Sequence, residues 1–135
     1  MVIGSSAKWC FRIAAVVCLV AMLGHEFLGS KKVLDPLHQI DLPADVVWLH
    51  HFSWHVGSIT LIAMAVMFAL GGRKAEYLIL AAIGTAISAA FAVLGVSLAL
   101  FGDVALWRTP APYPWTLIAA LGGIGLYIAR KGARP

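Results

Sequence analysis

All five histidines of this chain fall between positions 25 and 55, where Glu26, Asp35, Asp41 and Asp45 interleave with His25, His38, His50, His51 and His55. Imidazole nitrogens and carboxylate oxygens at close quarters support two kinds of chemistry, ligation of a borderline metal and movement of a proton near neutral pH. His51 and His55 are spaced i, i+4 and share one face of a helix, while His50 points about 100° away toward Trp54. His25 and Glu26 are adjacent, so one of them can face the helix that carries His51 and His55. A set drawn from His25, Glu26, His51 and His55 would offer nitrogen and oxygen ligands suited to Zn²⁺, Cu²⁺ or iron. Cys18, two turns below His25, would add soft sulfur for Cu(I), as would Met22 and Met64. Trp54, Ser58 and Asp103 are the candidate orienting partners.

Known motifs do not narrow this chemistry. His51-Phe52-Ser53-Trp54-His55 lacks the glutamate that makes H-E-x-x-H a zinc hydrolase signature, and His25-Glu26-Phe27-Leu28-Gly29 has glycine where the second ligand belongs. Haem would need histidines on two helices facing across a gap, which His25 with His51 or His55 could supply. The plainer alternative is a neutral histidine hydrogen-bonded across helices to Ser53, Ser58 or Asp103.

Composition decides what must position these groups. The chain has 135 residues, 61% hydrophobic and 12% charged, with a mean hydropathy of +0.91. That is too little polar surface to coat a water-soluble globule. Four apolar runs, at about 9–28, 46–70, 75–101 and 113–129, are each near the roughly 20 residues needed to cross hydrocarbon. The expected fold is an all-α bundle of four transmembrane helices in one domain, 1–135, with no room for a soluble domain. No A-x-A cleavage site follows Ala21 and Cys18 lacks a lipobox, so the first run is read as a retained span and not a signal peptide. The stretch 29–45, with Lys31, Lys32, Asp35, Pro36, Pro43 and Asp45, is expected to be a loop. Pro110, Pro112 and Pro114 are expected to bar helix before the last span.

Basic residues orient the chain. Lys8, Arg12, Arg73, Lys74, Arg130, Lys131 and Arg134 flank one side, against Lys31, Lys32 and Arg108 on the other, which places both termini in the cytoplasm. Trp9, Tyr77 and Tyr127 then mark the inner boundary, and Trp48, Trp107, Tyr113 and Trp115 the outer one. Every histidine, and every acid except Glu76, falls on the outer side. The net charge of +4 is thus topological and gives no reason to expect nucleic-acid binding. His55, about two turns inside the second span, is the costly member, since a charged group at the bilayer centre is disfavoured by about 2.5–3.5 kcal/mol on insertion scales.

Packing is carried by small residues: Gly84, Ser88, Ala92 and Gly95 in the third span, and Ala119, Gly122, Gly123 and Gly125 in the fourth. Cys10 and Cys18 are roughly 12 Å apart along one helix and cannot bridge.

The stretch FSWHVGSI at 52–59, with the upstream GHEFLGS and VLDPL, resembles a broad group of uncharacterised small four-helix bacterial membrane proteins. That group shows an aromatic-Trp-His followed by a small or hydroxyl residue on its second helix, and a His and Glu near the end of its first. The resemblance covers mainly the first half of the chain, implies roles for His25, Glu26, Trp54, His55 and Ser58, and brings no activity with it. Three functions stay open: a metal- or haem-binding protein of the inner (plasma) membrane of a bacterium, a structural or assembly subunit of a homo-oligomer or larger membrane complex, and an enzyme acting on a lipid or quinone-like substrate with His55 or Glu26 as base. The ligand site on the first two helices is the leading expectation.

Overall fold

A computed structural model describes residues 3–132. Arg134, counted above among the inner charges, lies outside the described residues. Among these, every regular element is helical, and four helices are long and apolar enough to cross a membrane. Helix α1 is Ser5–Gly24, the short α2 is Ser30–Val33, α3 is Ala44–Gly71, α4 is Leu78–Phe101 and α5 is Pro112–Lys131. The long helices form a four-membered ring in which α1 packs on α3 and α5, and α4 packs on α5 and α3.

Lipid tails are as apolar as leucine, so burial alone does not drive these helices together; close approach and interlocking shape must do so. Phe11 and Phe68, both fully buried, stack with ring centres 6.5 Å apart at the heart of the ring. Small residues make the space. A methyl on Gly84 or Gly122 would come within 3.3 or 3.0 Å of the Phe68 ring, and one on Gly125 within 2.7 Å of Phe11. Gly95 lies against Pro112, whereas Gly123 faces open space and takes no part. The buried residues of α3 begin only at Ser58 and continue to Gly71, so α3 enters the core along the half of its length nearer the termini.

The chain after the first span departs from the expected loop. Helix continues from α1 through a π-helical turn at His25–Gly29 into α2 and a 3₁₀ turn at Asp35–Gln39. Two features allow this despite Lys31, Lys32 and Pro36. Leu34 is buried and anchors the segment, and Pro36 stands in the first turn of the 3₁₀ element, where its missing N–H goes unneeded. Prolines also start α5 earlier than expected, because Pro112 and Pro114 occupy its first turn.

Candidate functional site

Helices α1 and α3 run antiparallel and touch along their length. At one end a methyl on Gly72 would sit 3.7 Å from the Lys8 carbonyl; at the other, a methyl on Gly57 would lie 3.4 Å from the His25 ring. At 1.5 Å per residue the second contact is roughly 25 Å above the first. The polar group therefore lies near the far edge of a hydrocarbon layer about 30 Å thick.

A π turn shapes the α1 side of this contact. The Ser30 N–H reaches back five residues to the His25 carbonyl, and the Ser30 hydroxyl donates to the Glu26 carbonyl that an α-helix would have satisfied with that N–H. Such wide turns recur at functional sites because they re-aim side chains. Sequence spacing alone allows one of His25 and Glu26 to face the neighbouring helix; with the turn widened, both do. His25 Nδ1 lies 3.0 Å from the Ser58 Oγ, and Glu26 Oε1 accepts from both the Ser58 hydroxyl and His55 Nδ1, the latter at 3.0 Å.

Protons can be placed along this chain of contacts. A carboxylate only accepts, so His55 Nδ1 carries hydrogen and its Nε2 is left with a lone pair when the ring is neutral. Ser58 has one hydrogen, given to Glu26, so its oxygen accepts from His25 Nδ1–H. Ser58 is buried, whereas the His55 side chain is 53% exposed and that of Glu26 25%. The sequence Ser58, Glu26, His55 thus runs from the helix interface to its open edge.

Trp54 closes the site from above. Its indole stacks on His25 with ring centres 3.8 Å apart and planes at 11°. It also presses on Gly29, where a methyl would come 2.8 Å from Trp54 Cζ2. The indole Nε1 is the only side-chain polar atom among the described residues that is buried without a hydrogen-bond partner.

The remaining candidates stand apart from this group. His51, one turn above His55, has its ring centre 6.4 Å from that of His55, and its Nε2 lies 3.1 Å from Nε2 of His38. His50 turns to the Val46 carbonyl and Ser53 to that of Leu49. Asp103 caps the 3₁₀ turn Val104–Arg108 by accepting from Ala105 N, so its hydrogen bond is local to the connection between α4 and α5. Cys18 and Met64 sit in the apolar core. Among the described residues, no three His, Cys, Asp or Glu side chains form a group that could hold a metal ion. The His25 ring faces no open gap of the kind a haem would fill: it stacks on Trp54 with ring centres 3.8 Å apart, and its Nε2 would lie 3.5 Å from a methyl on Gly57.

Sequence reasoning passed over His38, read as a solvated loop residue. The segment that carries it is anchored by buried Leu34, and that burial has no signature in the sequence. No family model, curated protein or solved structure matches the chain.

Proposed function

We propose that this chain is a multi-pass protein of a bacterial inner (plasma) membrane, with both termini cytoplasmic, and that the edge between α1 and α3 is an acid–base site for an amphiphile carrying an ionisable hydroxyl, of lipid or quinone-like type. One observation carries the reading: an exposed histidine is held through Nδ1 by a carboxylate that a buried serine holds in turn. A base oriented by a third group is the arrangement that proton-abstracting sites use. His55 Nε2 takes the proton as the substrate O–H bond breaks, and the Glu26 carboxylate offsets the positive charge formed on the ring. Reversal returns the proton to the oxyanion or to a product.

Calorimetric titration with a short-chain benzoquinol, kept reduced, tests this with the full chain in detergent. Saturable binding that weakens at least tenfold in His55→Gln is expected; equal binding by both proteins would remove the support. Orientation is tested separately with a membrane-impermeant maleimide on intact cells, in a chain whose own cysteines are replaced: Asp103→Cys is expected to label and Arg73→Cys to stay unlabelled.

A second reading, metal ligation at the outer side, is favoured by the His38–His51 contact. Nitrogens 3.1 Å apart on two separate segments approach the roughly 3.3 Å between two ligands of a tetrahedral zinc ion with bonds near 2.05 Å. Stoichiometric Zn²⁺ uptake lost in both His38→Ala and His51→Ala would support it, and uptake unchanged in either would remove it.

A further inference from the structure

The opposite end of the α1–α3 seam carries a second feature, independent of the site above. A groove of about 680 Å³ opens between the two helices at the end that holds the termini. Its charge comes from Lys8 and Arg12 on α1 and Arg73 just beyond α3; Trp9 forms a wall, and Ala15 and Ala69 belong to its apolar floor. No acid lines it, and among the described residues the only ion pairs are His55 with Glu26 and Lys74 with Glu76. The Arg12 guanidinium lies 5.3 Å from the Trp9 ring centre, which fixes its stem at the groove mouth.

Orienting a membrane protein needs positive charge near a helix end, but does not need three cations, two from α1 and one from the turn after α3, to converge on one groove. The floor adds direction. Ala15 is about two turns deeper than Lys8, and Ala69 about one turn deeper than Arg73, so the groove passes from a cationic mouth into an apolar channel running toward the middle of the span. A ligand that matches both parts has a phosphate at one end and a hydrocarbon chain at the other.

We propose that this groove binds an anionic phospholipid, with the headgroup phosphate among Lys8, Arg12 and Arg73 and an acyl chain along Ala15 and Ala69. Basic pockets between membrane helices hold lipid headgroups in this way, each cation near the surface contributing about a fivefold gain in affinity.

Native mass spectrometry of the full chain in detergent tests the proposal, using phosphatidylglycerol and phosphatidylcholine of identical acyl chains. Wild type is expected to retain phosphatidylglycerol in preference. Arg12→Gln with Arg73→Gln should weaken that adduct roughly thirtyfold, while Arg12→Lys with Arg73→Lys should keep most of it. Equal retention of the two lipids by wild type would overturn the proposal, and this comparison does not depend on whether a variant folds. Unchanged retention of phosphatidylglycerol in a folded glutamine variant would also overturn it. Full displacement by millimolar inorganic phosphate would assign the groove to a soluble phosphate instead and overturn the lipid.

Discussion

Glu26 on the π turn after α1 and His55 on α3 meet at 3.0 Å near the edge of the apolar layer, so this end of the seam is specified by a polar pair and not by side-chain shape alone. Interhelical polar contacts in membranes average about 0.6 kcal/mol and reach about 1.7. A double-mutant cycle of Glu26→Ala and His55→Ala, read by unfolding in mixed micelles, is expected to give a coupling within that range. Strictly additive single effects would show that the two side chains do not support each other.

Ser58 bridges His25 and Glu26 from a buried position. Removing its hydroxyl leaves the His25 Nδ1–H without its acceptor, while Glu26 keeps His55 as a donor; an unpaired donor away from water costs about 1–3 kcal/mol. Ser58→Ala is therefore expected to lower stability by about 1 kcal/mol or more and to weaken quinol binding along with it. Stability and binding both at wild-type level would place Ser58 outside the functional group.

The stack of Trp54 on His25 depends on glycine at position 29. A methyl there would meet Trp54 Cζ2 at 2.8 Å, and such overpacking typically costs about 1–3 kcal/mol. Gly29→Ala should shift the tryptophan emission and near-ultraviolet dichroism, whereas Gly123→Ala, whose new methyl meets open space, should leave both unchanged.

Phe68 fills the space between Gly84 and Gly122. Truncation in a soluble core costs about 3–5 kcal/mol. Here the expected loss for Phe68→Ala is smaller, about 2 kcal/mol, because the lipid reference state is apolar and the cavity accounts for most of it. Thermal unfolding in detergent measures this, and a midpoint equal to wild type would show that the aromatic core does not hold the ring together.

Much of this architecture is legible in the sequence for a simple reason: hydrocarbon thickness imposes a length on every apolar run, so four spans and their approximate ends follow from hydropathy. The segment after α1 is not legible in the same way. Lys31, Lys32 and Pro36 read as loop, yet buried Leu34 keeps the chain helical, and that burial is a tertiary fact. The candidate set divides along the same line. Residues near the helix interface, His25, Glu26, Trp54, His55 and Ser58, come together because antiparallel packing sets them at one level. Both His25 and Glu26 reach α3 only through the π turn, a backbone feature with no periodic signature. Asp103, placed on the same side by topology, is taken by a local cap.

The central claim is that Glu26 holds His55 with its proton on Nδ1 and leaves Nε2 bare at the open edge of the seam. Nitrogen-15 magnetic resonance of histidine-labelled protein in bilayers measures this directly, with the His55 signals assigned by their loss in His55→Gln. At a pH where the ring is neutral, the account predicts a protonated Nδ1 and an unprotonated Nε2, shifting to a tautomer mixture in Glu26→Ala. A wild-type ring protonated at Nε2, or one that Glu26→Ala leaves unaltered, would contradict it.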